Sequence, residues 1–302
     1  MGMHQKQLGV NEPTVRRLVN EQFPQWAERP LQRVQTAGTV NAIFRLGDDL
    51  AVRFPLVAQD PTEALVWLRT EADAAQELAA VSPVPTPVPV AIGVPGRSYP
   101  LPWTVQTWLP GHDASIEDPA GLTRFGEDLA AFIASLRAVD TRGRRFGGQG
   151  RGGHLPDHDA WMETCFRASE GLLEVARLRA MWAELRTLPE VDADLMCHGD
   201  LTPPNILVLN RRLAGVLDGG GFAAADPALD LVGAWHLFDD VQRDVLREAL
   251  GCSELQWSRG KAWALEQAMG LVWYYAESNP TMSRLGRRTL ERLIGDGPGR
   301  AR

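Results

Sequence analysis

"CHGDLTPPNILVLNRRLAGVLDGG", Cys197 to Gly220, sets one His, two Asp and two Asn among Leu, Val, Ile, Pro and Gly. After Asn205 the chain is apolar and β-branched, "NRR" turns it, and "LAGVL" makes a second short strand that ends at Asp218. Such a hairpin brings Asp200 and Asn205, which precede its first strand, to the same mouth as Asp218, which follows its second. Asn205 and Asp218 then offer hard oxygen ligands without His or Cys, a set that suits magnesium holding phosphates. Asp200 stands where a carboxylate could orient an attacking hydroxyl or take its proton, and phosphoryl transfer needs little more. The competing reading is that Asp200 and Asn205 make ordinary turn hydrogen bonds. The spacing H-x-D-x-x-x-x-N arises by chance about once in a hundred chains of this length, and an Asp at the end of the next strand makes chance rarer still.

The rest of the chain frames that hairpin. Its 302 residues are 44% hydrophobic and 23% charged, near the globular average, and long enough for one large domain or two lobes. No apolar run reaches about 18 residues and the N-terminus lacks a signal-peptide core, so no membrane is expected as a partner and the cytoplasm is the expected location. A net charge of −7 disfavours a dedicated nucleic-acid binder. Cys165, Cys197 and Cys252 lie far apart outside any C-x-x-C spacing, which argues against a disulfide framework or a zinc site.

Apolar spacing predicts a helix from Glu12 to Arg29, two strands around "GDD" in "NAIFRLGDDLAVRFP", and a helix over "PTEALVWLRTEADAAQELAAV". Prolines 83, 85, 87 and 89 force an extended connector into a short strand, Val90 to Val94. "WTVQTWLPG" is a further β-rich run, and a lobe boundary belongs at its end, giving residues 1–110 and 111–302. Beyond it the pattern is mainly helical: Ala120–Val139, Asp159–Leu188, Pro227–Phe238, Asp240–Leu250, Glu254–Ala276 and Met282–Leu293. The Gly- and Arg-rich "TRGRRFGGQGRGGHLPD" between the first two reads as a mobile surface loop.

"HGDLTPPNILV", "VLDGGG" and "ADPALDL", with "TAGTVNAIFRLGDDLAVRFP" and "WTVQTWLPG" upstream, resemble the aminoglycoside phosphotransferase family, whose fold is similar to that of protein kinases. The resemblance spans nearly the whole chain and is most specific at residues 198 to 230. It implies an α+β, two-lobed protein-kinase-like fold with a small β-rich N-lobe and a larger, mainly helical C-lobe. It also implies transfer of the γ-phosphate of ATP or GTP, with Mg2+, to a hydroxyl of a small-molecule acceptor such as an aminoglycoside. Asp200 would be the catalytic base, Asn205 and Asp218 the magnesium ligands, and His198 and Asp230 supports of the loop. Gly38 and Thr39 would cover the phosphates with backbone N–H groups, and Thr107 and Leu109 would meet the purine at the hinge. The alternatives are a metabolic small-molecule kinase and a nucleotide-binding homologue without catalysis.

Two departures from the family stand out. Kinases hold the α and β phosphates with a strand Lys paired to a Glu on the next helix. Here Arg53 occupies that strand position, with Glu71 as the expected partner and Glu63 and Glu77 on the same helix. "LDGGG" also lacks the usual aromatic after the metal-binding Asp, and its glycines are expected to leave the backbone free. For the acceptor, the C-terminal half offers Asp157, Asp159, Glu163, Trp235, His236, Trp273, Tyr274 and Glu277, with carboxylates suiting amines and aromatics suiting sugar rings. Oligomeric state leaves no mark on the sequence.

Overall fold

The computed structural model describes residues 8–34, 40–116, 119–148, 150–191 and 193–295. Five segments rich in Val, Phe and Trp build an antiparallel sheet: Leu31–Arg33 (β1), Asn41–Leu46 (β2), Leu50–Pro55 (β3), Pro89–Gly93 (β4) and Trp103–Thr107 (β5), in the order β1-β2-β3-β5-β4. Phe44, Val52, Phe54, Trp103 and Val105 are fully buried on its core face, and Phe54 stacks on Trp103 with ring centroids 4.9 Å apart. The proline-rich connector feeds β4, an edge strand with a bulge between Pro89 and Ala91, where a residue without an N–H costs no ladder bond.

The first helix, Glu12–Gln22 (α1), buries Val15, Leu18 and Val19 under this sheet and is capped by Asn11, whose side chain accepts the Thr14 N–H at 2.9 Å. It stops seven residues short of Arg29, because Pro24 cannot continue it and restricts the residue before it; a short 3-10 turn, Pro24–Trp26, comes next. Pro61–Val81 (α2) starts as its sequence predicts, with Asp60 accepting from the N–H groups of Thr62 and Glu63. Leu78, near its end, belongs to the hydrophobic cluster of the C-terminal part, so α2 ties the sheet to the helices beyond it.

The C-terminal part holds the helices Thr123–Arg137 (α3), Asp159–Ala168 (α4), Val175–Leu185 (α5), Val232–Leu237 (α6), Asp240–Leu250 (α7), Glu254–Tyr274 (α8) and Pro280–Gly295 (α9). The predicted 159–188 helix is two helices, separated where Gly171 takes a left-handed φ of 77°. Helix α8 buries residues on every side and packs on α9, as a helix at the centre of a core does. Between α5 and α6 run Leu195–Cys197 (β7), Ile206–Leu209 (β8), Arg212–Val216 (β9) and Ala223–Ala225 (β10); His112–Asp113 (β6) pairs with β8. Asn210 and Arg211, both at positive φ, make the tight turn of the β8–β9 hairpin.

The Gly- and Arg-rich segment is pinned, contrary to its reading as a mobile surface loop. Arg144 forms two hydrogen bonds to Glu77 of α2, at 2.7 and 2.8 Å, and the Phe146 N–H donates to Asp194. Gly153 accepts from Arg259 of α8, whose buried guanidinium also bonds Asp226. No described helix is long and apolar enough to cross a membrane.

Candidate active site

Strand β7 ends at Cys197 and hands the chain to His198, Gly199 and Asp200. Gly199 sits at φ 80°, a conformation that favours glycine, and this turns Asp200 out of the core. Fully buried Asp230 holds the turn: its two carboxylate oxygens accept the N–H groups of His198, at 3.0 Å, and Gly199, at 2.8 Å. Burial pushes the Asp230 carboxyl up, while His198 and these two N–H bonds pull it down. The His198 ring bridges the loop to the hairpin, with Nε2 at 2.8 Å from the Leu217 carbonyl and Nδ1 accepting the Asp200 N–H at 3.3 Å.

The Asp200 carboxylate is held from three directions. Oδ2 accepts from Asn205 Nδ2 at 2.8 Å, and Oδ1 accepts from both Arg151 Nη2 and Gln267 Nε2 at 2.7 Å. Asn205 spends its amide nitrogen on Asp200, bonding the backbone carbonyl as well at 3.0 Å, which leaves its Oδ1 without a partner among the described residues. The Leu217 N–H donates to the Asn205 carbonyl at 2.7 Å, so the end of β9 closes back on the start of β8 and delivers Asp218 beside Asn205. Asp218 is itself left-handed, at φ 60°, and half-exposed.

Arg53 of β3 reaches Asp218 Oδ1 at 2.9 Å, and its ion-pair partner is therefore Asp218 rather than Glu71. Glu71 lies close enough to feel both: burial raises its carboxyl, Arg53 opposes that, and the Asp218 charge adds to it. The glycines after Asp218 do not have positive φ. A Cβ on Gly219 would meet Leu78 Cδ2 at 2.5 Å, and one on Gly220 would meet the Glu71 Cβ at 2.9 Å. Their missing side chains let α2 approach this closely, a packing reason for glycine at both positions beside the backbone freedom expected of them.

In the segment expected to meet the purine, the Thr107 N–H is already given to the Val88 carbonyl at 2.9 Å, and the Trp108 N–H to the Asp49 carbonyl at 2.7 Å. Leu109 keeps its N–H without a partner among the described residues. Gly38 and Thr39 lie outside the described residues.

A cavity of about 620 Å³ opens in front of Asp200 and Asp218. Arg151, His158 and Glu266 form part of its wall, with the exposed indoles of Trp67 on α2 and Trp161 on α4. His158 Nδ1 is 3.4 Å from Glu266 Oε1, and that bond raises the imidazole above its ordinary range. The other oxygen of Glu266, Oε2, is buried with no partner among the described residues.

The phosphotransferase enzyme family (APH) matches this sequence over residues 32–263. The chain belongs to that family. No curated protein matches it significantly in sequence. Among solved structures, the GDP complex of aminoglycoside 2'-phosphotransferase-IIIa superposes with a TM-score of 0.69 at 18% identity, covering 95% of this chain and 100% of its own. The apoenzyme of the macrolide 2'-phosphotransferase MphH from Brachybacterium faecium gives 0.55 at 20% identity, over 90% and 93% of the two chains. Macrolide 2'-phosphotransferase type I gives 0.61 at 14% identity, over 93% and 98%. At these identities the likeness is one of fold, the two-part arrangement of sheet and helices.

Several residues of this phosphotransferase's cavity were not legible in its sequence. None of the eight acceptor candidates drawn from the C-terminal half lines the cavity. Asp159 is spent on Arg186 and Trp182, Glu163 on Arg179, and Trp235 and His236 are fully buried. Arg151, Glu266 and Gln267 instead reach the site from a loop and a helix that carry no motif; for Arg151 the one available signal was a cation among glycines.

Proposed function

We propose that this phosphotransferase moves the γ-phosphoryl group of ATP or GTP to a hydroxyl of a small molecule bound in the cavity before Asp200. The observation that carries the reading is the carboxylate of Asp200, fixed at the cavity wall with Asn205 and Asp218 beside it. Oδ1 already accepts two hydrogen bonds and Oδ2 only one, so the remaining lone pair that can receive an acceptor hydroxyl is on Oδ2. In this reading the acceptor oxygen forms its bond to the γ-phosphorus, the bond to the β–γ bridging oxygen breaks, and the hydroxyl proton passes to Asp200. Arg53 holds the phosphates by a bidentate-capable guanidinium, and the Leu109 N–H is the hinge donor open to a purine.

The oxygens of Asn205 and Asp218 suit Mg2+, which keeps water and phosphate for its other positions, and among the described residues no cluster of three His, Cys, Asp or Glu favours another metal. When bound it neutralises phosphate charge.

For the acceptor, an aminoglycoside-type antibiotic is the class proposed. The carboxylates of Glu71, Asp200, Asp218 and Glu266 all line the cavity and suit a ligand rich in amines, and two solved structures of similar fold are complexes with kanamycin and gentamicin. A macrolide is the second reading, favoured by the exposed faces of Trp67 and Trp161.

The test is ATP and GTP turnover with Mg2+, with and without aminoglycosides, macrolides and small amino alcohols, wild type beside Asp200→Ala. Acceptor-stimulated turnover that falls by about 10²-fold or more in the variant, with nucleotide still bound, is expected. Equal turnover in the variant removes Asp200 as the base, and nucleotide binding without any turnover favours the non-catalytic alternative.

A further inference from the structure

His236 is a histidine without solvent: its side chain is fully buried on α6, between α8 and α9. Its Nε2 lies 3.1 Å from Gln267 Oε1, and its Nδ1 lies 2.8 Å from the Thr289 hydroxyl. Gln267 is itself nearly buried and spends its amide nitrogen on Asp200 Oδ1 at 2.7 Å. Three side chains from three helices thus form one hydrogen-bonded line that ends on the carboxylate of the site.

The donors and acceptors along that line admit one consistent assignment. Ionised Asp200 can only accept, so the Gln267 NH2 faces it and the Gln267 oxygen faces His236. An amide oxygen also only accepts, so His236 must carry its proton on Nε2. Burial lowers the His236 imidazole to about 4, and at neutral pH the ring has that single proton. Nδ1 is then a bare lone pair, and the Thr289 hydroxyl, 2.8 Å from Nδ1 and 3.0 Å from the Leu285 carbonyl, gives its hydrogen to Nδ1.

We infer that His236 and Gln267 are positioning residues for Asp200: the buried imidazole sets the orientation of the Gln267 amide, and that amide holds Asp200 Oδ1 so that Oδ2 faces the acceptor. The alternative arrangement, with the amide turned over, would set the Gln267 oxygen against the carboxylate and is repelled by it. A plain apolar packing role does not require His at 236, whereas this one requires a donor at the Nε2 position. The inference rests on the reading of Asp200 as the base.

The test has two parts. The first needs no activity: 15N-labelled protein at neutral pH should show His236 with a protonated Nε2 and a bare Nδ1, and a ring protonated on Nδ1 overturns the assignment. The second compares Gln267→Met, His236→Phe and His236→Gln by nucleotide turnover with Mg2+, using whichever compound of the aminoglycoside and macrolide panel stimulates the wild type, or water if none does. Gln267→Met keeps the volume and removes the donor, and it should lower kcat about 10-fold or more with the nucleotide KM within about twofold. His236→Phe should do the same, and His236→Gln, whose amide can still donate to Gln267, should restore most of the loss. Wild-type kcat in Gln267→Met, or equal losses in His236→Gln and His236→Phe, overturns the inference. If His236→Phe fails to fold, Gln267→Met and the ring spectrum still decide it. Asp200→Ala run alongside separates the two claims: full activity there defeats the assignment of the base, whereas inactivity there with a fully active Gln267→Met defeats the positioning role alone.

Discussion

Arg53 and Asp218 hold each other at 2.9 Å across the two parts of the chain. Any phosphate that takes Arg53 must share it with Asp218, and guanidinium geometry decides how well that is done. A lysine there would be a point charge on a flexible stem, unable to fork between two oxygens. Arg53→Lys is therefore expected to weaken nucleotide binding about tenfold, or roughly 1.4 kcal/mol, by titration calorimetry with Mg2+; tighter binding would mean the site wants the usual lysine. Asp218→Ala should abolish the dependence of nucleotide affinity on Mg2+, and an unchanged dependence would place the metal elsewhere. At this scale the sequence was informative where residues are neighbours. Asp200, Asn205 and Asp218 lie within one hairpin, so their convergence follows from strand pairing alone. The partner of Arg53 did not follow, because α2 and the segment after β9 both present a carboxylate and only packing chooses between them.

The element that packing most depends on is α2. Its close approach to Gly219 and Gly220 rests on the absence of two methyl groups, since added Cβ atoms would fall 2.5 Å from Leu78 and 2.9 Å from the Cβ of Glu71. Gly220→Ala meets a Cβ and the helix backbone behind it, which cannot swing aside as a leucine methyl can. It should cost about 1–3 kcal/mol in urea unfolding and weaken nucleotide binding with it. A variant as stable as wild type would show that α2 shifts freely. Sequence periodicity found α2 and α7 nearly whole but ran α4 and α5 together, because a single left-handed glycine breaks a helix without disturbing the apolar spacing on either side.

For the molecule as a whole, the buried histidine leaves a signature in acid. His236 titrates at about 4 in the fold against about 6.5 in an unfolded chain. Between those values the unfolded state binds more protons, so stability rises with pH through this window and is lost as pH falls from about 6.5 to 4. The loss is about 3 kcal/mol at pH 4. His236→Gln has no such titration, and its urea midpoint should decline less between pH 7 and pH 4 than that of wild type; parallel declines would mean the ring is not held neutral. The overall fold class was legible because a β-rich, proline-punctuated first third and a helical remainder differ in composition. The cavity was not, because Trp67, Arg151, His158 and Glu266 meet there from widely separated stretches, and nothing local in any of them records the meeting.

The pairing of cations with the cavity's carboxylates also governs how fast an acceptor arrives. Asp200 faces Arg151, Asp218 faces Arg53 and Glu266 faces His158, while burial holds Glu71 toward its neutral form. Although the chain carries a net charge of −7, this pairing of carboxylates with neighbouring cations is expected to leave little field at the mouth of the site to steer a distant cation. For a cationic acceptor, kcat/KM should fall by less than about threefold when salt is raised from about 0.02 M to 0.3 M, where a steered encounter would drop steeply. A fall that small would mean that the acceptor is captured by contact at the wall of the cavity rather than by attraction from a distance, and a steep fall would mean that the site steers it.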